Sequence, residues 1–176
     1  MDRLTIETDR LRLTALTAEA LAAWADADAD ALRAETGAGF TVPLRIPPLF
    51  AEDLPVFRDR MREVTDELGW WAWLVSRRED CVAVGVCGLC GRPEDGVVVL
   101  GYSVYPEMEG RGFATEASRA LMGWIWRQPG VEAVRAYVPS WNGASLAVAS
   151  KLGMEVVSHE VSREEGDVEV FEARRA

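Results

Sequence analysis

Two glycines between a predicted strand and a predicted helix are the residues with the clearest chemical use. Residues 97–117 read VVVLGYSVYPEMEGRGFATEA, and Gly110 and Gly112 lie just before the helix begins near Phe113. Glycine lets the backbone approach a ligand closely, and the first amides of a helix have no partners within it. Free amides and the positive end of the helix dipole attract phosphate groups. The segment therefore predicts a phosphate-binding loop.

Several kinds of site use such a loop. A dinucleotide-binding turn needs a third small residue where Thr115 stands, and the acidic residue expected after a second strand is missing. A nucleotide P-loop needs Gly-Lys-Ser or Gly-Lys-Thr, and the only lysine of the chain is Lys151. A coenzyme A loop and a purely structural strand-to-helix turn both fit the glycines. The loop alone does not choose between these two.

A second strand-to-helix junction lies further along the chain. Residues 133–138 read AVRAYV and lead through Pro139 to Asn142, where a predicted helix begins that ends at Gly153. The two junctions together resemble the GNAT superfamily of N-acetyltransferases. In that family a strand ends at a proline, a Gln/Arg-x-x-Gly-x-Gly/Ala loop follows, and a later Asn opens the helix beside coenzyme A.

The resemblance can be followed position by position. Pro106 is followed at the family's offsets by Glu109, Gly112 and Ala114, and Asn142 comes downstream. The segments VYPEMEGRGFATEA and NGASLAVASKLGM look most like the RimJ/RimL-like branch, which includes the ribosomal-protein alanine acetyltransferases. The resemblance covers about residues 70 to 160 well, and the rest of the chain in element order.

The resemblance implies an α/β (α+β) fold of the GNAT acyl-CoA N-acyltransferase type. Such a fold has a mixed, mostly antiparallel central sheet of about six to seven strands flanked by about four helices. It implies a single GNAT domain over residues 1–176 that transfers an acetyl group from acetyl-CoA to a primary amine, with no metal. The acceptor is a small-molecule amine or a protein N-terminus, and the sequence does not choose between them.

The resemblance also assigns residues to coenzyme A. The strand over residues 97–104 offers backbone amides to the thioester oxygen where its end splays from the neighbouring strand. The implied coenzyme contacts are Val104, Glu109, Gly110, Arg111, Gly112, Phe113, Ala114, Thr115, Asn142 and Ser145. Glu109 stands where many members carry Gln or Arg. A carboxylate beside a pyrophosphate weakens binding unless Arg111 offsets it.

The catalytic positions depart from the family at one point. Ala149 stands where many members have a tyrosine that protonates the departing thiolate. Ser145 lies three residues after Asn142, on the same side of the predicted helix, and is the nearest hydroxyl for that sulfur. Three residues are candidates for the base that takes the proton of the amine: Tyr137, Tyr102 and its neighbour Ser103. Tyr137 lies at a strand position where some relatives carry a catalytic glutamate, and Tyr102 lies near the expected strand break.

Composition and charge exclude other classes of protein. The chain carries 19 basic and 29 acidic residues, and a net charge of −10 argues against a surface for DNA or RNA. No run approaches the roughly 18 apolar residues that a membrane span requires. Three cysteines suit a reducing compartment, and a single histidine cannot build a metal cluster. We therefore expect a cytoplasmic protein without a nucleic-acid or membrane partner, and a homodimer stays open.

The elements that position these residues follow from hydrophobic periodicity. A rough helical period over residues 21–32 and an amphipathic pattern over residues 51–68 predict two helices. Alternating runs predict strands, three of them in an antiparallel meander. Their predicted bounds are Leu11–Thr14, Trp70–Ser76, Val82–Leu89, Val97–Val104, Met154–Val161 and Val168–Arg174. Alternation places Trp71 and Trp73 on one face of their strand and Trp70 on the other.

Two segments are expected to line the acceptor groove, as in the family. They are the loop Gly37 to Pro48 and the hairpin turn Glu164 to Asp167. The alternative function is a domain that binds acyl-CoA without catalysis, as a sensor or an interaction module, and Glu109 and Ala149 favour it. An enzyme releases free thiol when an amine is present, whereas a sensor binds the coenzyme without turnover.

Overall fold

The computed structural model describes residues 3–41 and 43–175. Its strands are β1 (Thr5–Glu7), β2 (Leu11–Ala15), β3 (Ala72–Arg77), β4 (Ala83–Leu89), β5 (Val97–Val104), β6 (Ala133–Pro139), β7 (Glu155–Ser162) and β8 (Gly166–Arg174). Its α-helices are α1 (Ala18–Ala25), α2 (Ala29–Thr36), α3 (Leu54–Glu63), α4 (Phe113–Ile125) and α5 (Gly143–Lys151). Short 3₁₀ turns lie at Pro48–Phe50, Thr65–Glu67 and Pro106–Met108. The strands form one sheet in the order β1-β2-β3-β4-β5-β6-β8-β7.

The sheet confirms the expected mixed, mostly antiparallel α/β architecture, with one strand and one helix more than the approximate counts predicted. The described residues contain eight strands and five α-helices. Strand β1 has three residues, too few to show alternation, and is held by antiparallel pairing with β2. The helix predicted over residues 21–32 is two helices, because Ala27 has a φ of 56° and breaks the turn. Asp28 then accepts the N–H of Ala31 at 2.9 Å and starts α2.

Helices cover both faces of the sheet. On β4, the sulfur of Cys87 lies 3.7 Å from the hydroxyl of Ser118 in α4. The next residue, Gly88, points the other way, and a Cβ there would lie 3.2 Å from Phe57 of α3. Because successive strand residues face opposite sides, α4 and α3 lie on opposite faces. A ligand that passes through the sheet can therefore contact both helices.

The tryptophans at the start of β3 belong to the core. Trp70 and Trp73 both pack against Trp124 of α4, with ring centroids 5.1 and 5.4 Å apart, and Trp71 packs against Phe57 of α3 at 5.3 Å. The predicted alternation is therefore wrong. Its physical reason is that β3 begins only at Ala72, so Trp70 and Trp71 precede the regular pleat. The three side chains fix the two helix layers on the sheet.

A gap opens between two neighbouring strands in the middle of the sheet. Strands β5 and β6 run parallel but pair only between Val97–Val99 and Ala133–Arg135. Beyond these residues β5 stays paired with β4 up to Val104, and β6 stays paired with β8 up to Pro139. Past this point β5 and β6 are no longer hydrogen-bonded to each other, although each is still paired with its other neighbour. We call the resulting gap, bounded by residues 100–104 and 136–139, the strand opening.

Candidate functional site

The glycine loop, residues 109–115, presents free backbone donors beside the strand opening. Gly110 and Gly112 have φ values of 72° and 77°, a left-handed conformation that glycine adopts without strain. Gly112 is the N-cap residue just before α4, and no side chain caps this end of the helix. The N–H groups of residues 110–115 donate to none of the residues that the structure describes. These donors are left for a ligand.

Contacts with the turn between β1 and β2 hold the glycine loop in place. Glu116, in the first turn of α4, accepts bonds from the hydroxyl of Thr8 at 2.6 Å and from Nε of Arg10 at 2.7 Å. Arg10 also donates to the carbonyl of Arg111 at 3.1 Å and lies 4.9 Å from the ring of Phe113. Burial acts to raise the pKa of Glu116, but the bonds from Thr8 and Arg10 outweigh it and lower that pKa. Glu116 thus fastens the helix to the sheet.

The two charged residues of the glycine loop are exposed. The side chains of Glu109 and Arg111 both lie on the surface, next to the free amides. They bring one negative and one positive charge to the place where phosphate groups would lie. The structure therefore keeps together the loop residues that the sequence assigned to coenzyme A, including the carboxylate that opposes an anion.

The strand opening exposes backbone groups of β5. Tyr105 donates its N–H to the carbonyl of Val84 at 3.0 Å, and the carbonyl of Val99 accepts from Cys90 at 3.1 Å, so both face β4. Backbone groups of an antiparallel strand alternate in direction. The C=O of Leu100 and the N–H and C=O groups of Tyr102 and Val104 therefore face the strand opening, beyond the last residues of β5 that pair with β6.

A cavity of about 280 Å³ lies in the strand opening and reaches both helix layers. On one side it is lined by Asn142 and Ser145 at the start of α5. On the other side, around the start of α3, it is lined by Leu49, Phe50, Glu52, Asp53 and Phe57. Tyr102 and Tyr137 line it from the two separated strands. The structure thus brings the three predicted catalytic residues, Ser145, Tyr137 and Tyr102, to one cavity.

The hydroxyl of Tyr102 is fixed against α5. It donates to the carbonyl of Ser145 at 2.8 Å, and the backbone of Ala149 lies nearby. Burial, helped by nearby Cys87, raises the pKa of Tyr102 well above its usual value of 10. A phenol with a raised pKa stays protonated at neutral pH, so it cannot take a proton as a base but can still donate a hydrogen bond or a proton. The side chain of Ala149 is fully buried and carries no polar group.

Asn142 begins α5 by capping it. Its Oδ1 accepts the N–H of Ser145 at 3.1 Å, which satisfies one of the free amides of the helix. The side-chain NH₂ of Asn142 remains able to donate to a ligand in the cavity. The hydroxyl of Ser145 also lines the cavity and donates to none of the described residues. Tyr137 lies on β6 with 44% of its surface exposed.

Three carboxylates line the cavity, Glu52, Asp53 and Glu165, and sequence reasoning missed the first two. Glu165 lies within the hairpin turn predicted to line the acceptor groove, whereas the predicted loop Gly37 to Pro48 ends just before the lining begins at Leu49. Burial, together with the charge of Glu52, raises the pKa of Asp53. The sequence signal that could have indicated these residues is the adjacent acidic pair Glu52-Asp53, which directly precedes the amphipathic helix.

The loop before this lining is tied to the core rather than to the cavity. Its Arg45 carbonyl accepts from Nε1 of Trp24 at 3.1 Å and from the hydroxyl of Tyr105 at 2.8 Å. The side chain of Arg45 forms an ion pair with Glu107. These bonds turn the loop inwards, so the residues that follow it reach the strand opening.

Two further properties bear on the class of protein. Within residues 3–41 and 43–175, no three His, Cys, Asp or Glu residues come together in a way that could hold a metal ion. Over the same described residues, none of the helices combines the length and the apolar character needed to cross a membrane.

The fold thus combines a split sheet, a cavity at the split and a helix whose first amides are free, an arrangement that suits a phosphate-bearing ligand. Comparison with known proteins gives the family. A model described as "Acetyltransferase (GNAT) domain" matches residues 10–155, and the chain therefore belongs to the GNAT acetyltransferase family. Membership implies acyl-CoA-dependent N-acetylation and acetyl-CoA as the co-substrate.

Individual relatives agree with this assignment. The chain is 26% identical over 156 residues to the uncharacterized N-acetyltransferase YjdG of Bacillus subtilis (strain 168), covering 88% of this chain and 90% of YjdG. An acetyltransferase from Agrobacterium tumefaciens is 23% identical with a TM-score of 0.64, covering 99% and 96% of the two chains. A ribosomal-protein-S5-alanine acetyltransferase from Vibrio fischeri is 13% identical with a TM-score of 0.66, covering 97% and 96%. These structures share the fold, as expected for the RimJ/RimL-like branch.

Proposed function

We propose that the chain is a single GNAT domain over residues 1–176 that transfers an acetyl group from acetyl-CoA to a primary amine. The observation that carries the proposal is the strand opening, where β5 backbone donors face a cavity and the chain then leads from β5 to the free amides of α4. The same proposal includes a cytoplasmic location and leaves a homodimer to be tested. The acceptor is a small-molecule amine or the amine of a protein N-terminus.

The residues present fit coenzyme A. The glycine loop offers six consecutive amides, 110–115, without a partner among the described residues, and a pyrophosphate accepts such bonds. Arg111 adds a positive charge that offsets Glu109. Asn142 and Ser145 would contact the arm of the coenzyme that enters the strand opening, and the N–H of Val104 or Tyr102 would donate to the thioester oxygen.

The coenzyme supplies the activated acyl group as a thioester. The amine nitrogen attacks the thioester carbon, the carbon–sulfur bond breaks, and the nitrogen loses one proton while the sulfur gains one. We assign the proton for the sulfur to the hydroxyl of Tyr102, which lies against α5 at Ser145 and Ala149. The carbonyl of Ser145 has a helical partner of its own, so the phenol can turn towards the sulfur. The Ser145 hydroxyl would stabilise the same sulfur with a hydrogen bond.

The proton of the amine leaves on the opposite side of the cavity. Tyr137 lines that side and is the candidate from the sequence, together with water at the exposed mouth. The raised pKa of Tyr102 disfavours the role of base for this residue. Its assignment as proton donor therefore replaces the sequence-based one.

A non-catalytic acyl-CoA-binding domain is the second candidate, because Ala149 offers no hydroxyl and Glu109 opposes an anion. A melt with and without acetyl-CoA, followed by thiol release with an amine panel, separates the candidates. At about 100 times its dissociation constant the coenzyme adds roughly 2.7 kcal/mol of stability, a clear shift in melting temperature. A shift with amine-dependent thiol release supports the enzyme. A shift without release on any amine supports the sensor, and no shift refutes both.

A further inference from the structure

The acceptor side of the cavity has an unusual charge balance. Three carboxylates line it, Glu52 and Asp53 from the segment before α3 and Glu165 from the turn between β7 and β8. Of the described residues, no arginine, lysine or histidine lines the same cavity. We propose that the acceptor is a small primary amine with a second positive charge, and that these carboxylates hold it. This inference rests on the proposed function.

The three carboxylates are available to a ligand. Other acidic residues near the site already have partners: Glu107 pairs with Arg45, and Glu116 pairs with Arg10. Glu52, Asp53 and Glu165 form no ion pair with any residue that the structure describes. Unpaired carboxylates that share a cavity repel each other, and a cation bound between them relieves that repulsion.

The side chain of Asp53 does not cap the helix that follows it. Asp53 occupies the position that precedes α3, where an aspartate commonly caps the helix, yet its side chain accepts no bond from the helix amides. Asp53 is exposed at the cavity, yet partial burial of its carboxylate raises its pKa, and the charge of Glu52 acts in the same direction. A positive ligand group beside Asp53 would stabilise the charged form that the protein alone disfavours.

The rest of the cavity sets the size and character of the acceptor. Its volume of about 280 Å³ is at the lower end for small-molecule sites, so the acceptor is small. Leu49, Phe57 and Leu100 give it apolar walls between the carboxylates and the strand opening. A short methylene chain with an amine at each end matches apolar walls with acidic groups at the mouth. One amine would reach the strand opening while the other stays near the carboxylates.

The test compares cadaverine, a diamine, with hexylamine, a monoamine that has the same number of heavy atoms. We expect kcat/KM for thiol release to be at least about tenfold higher with cadaverine, with the difference falling at high salt. Glu165→Gln and Asp53→Asn should each reduce this ratio by about threefold or more. Glu164→Gln removes the same charge from the same turn but does not line the cavity, and should leave the ratio unchanged.

Equal use of the two amines by the wild type, or an unchanged ratio in both cavity variants, would overturn the inference while leaving the acetyltransferase intact. Acetylation confined to peptide N-termini would do the same. Binding of cadaverine, measured by calorimetry without an acyl donor, separates the two proposals. If no amine releases thiol but cadaverine binds and Glu165→Gln weakens that binding, the charged site stands and the proposed catalysis fails.

Discussion

Replacing Tyr102 by phenylalanine tests the assigned proton donor, and Tyr105 provides a matched control. Each tyrosine donates its hydroxyl to one backbone carbonyl at 2.8 Å, Tyr102 to Ser145 and Tyr105 to Arg45. Burial raises the pKa of both. Of these two tyrosines, only Tyr102 lines the cavity. The two variants therefore lose the same kind of bond, and differ in whether the lost hydroxyl can reach a reacting atom.

The expected effects on stability are alike, and those on turnover differ. Losing one such bond costs about 1 kcal/mol, which lowers the melting temperature of a chain of this size by roughly 2–4 °C in either variant. Loss of a general acid lowers kcat by roughly 10²-fold or more. Tyr102→Phe should therefore lose turnover and keep its affinity for the coenzyme. Tyr105→Phe should keep both its turnover and its coenzyme affinity.

Thiol release at saturating acetyl-CoA and amine gives kcat, and a melt of each variant gives its stability. Turnover of Tyr102→Phe within about threefold of the wild type would refute the assigned role. Equal losses of kcat in the two variants would show that turnover follows stability and not the hydroxyl. Ser145→Ala should be measured in the same series. A larger loss of kcat in Ser145→Ala than in Tyr102→Phe would indicate that the serine, not the tyrosine, donates the proton to the sulfur.

Three further predictions concern the coenzyme side. Asn142→Ala should lower the free energy of unfolding by about 1 kcal/mol, because it removes the cap on the N–H of Ser145. Asn142→Ser should keep that stability and lose only coenzyme affinity. Equal melting temperatures for the two variants would contradict the capping role. Glu109→Gln should tighten acetyl-CoA binding by about two- to fivefold at low salt, and unchanged calorimetric affinity there would show that this carboxylate points away. Glu116→Gln should lower stability by about 1 kcal/mol at neutral pH, a value reduced by partial exposure. Because the fold lowers the pKa of Glu116, this stabilising contribution is present above the usual pKa of 4.5 and is lost as the pH falls from there through the lowered pKa. A difference in stability between Glu116→Gln and the wild type that persists in acid would contradict the ion pair with Arg10.

Much of the coenzyme side could be predicted from the sequence because its signals are local. Gly110 and Gly112 adopt positive φ values that favour glycine, and the helix that follows needs only its own periodicity to begin at Phe113. Asn142 marks the start of α5 through a bond to an amide three residues away. Such features depend on neighbouring residues, so a linear pattern contains them.

The predictions that failed depend on pairing between distant segments. Strand β1 exists because Thr5 pairs with Thr14, and the position of Trp70 depends on where β3 begins to pair with its neighbours. The split of the first helix follows from a single residue, Ala27, whose conformation no hydrophobic period reveals. Short elements and element ends are therefore the parts that tertiary contacts override.

By itself the sequence determined the position of the glycine loop, the family and the general chemistry, because these rest on short spacings of glycine, proline and asparagine. Only the tertiary structure decided how far β5 and β6 stay paired, which places Tyr102 against α5. It also brought Asp53 and Glu165 to one cavity, although more than a hundred residues separate them in the chain. The physical reason is that a cavity and its charge arise from distant segments packed around one gap in the sheet.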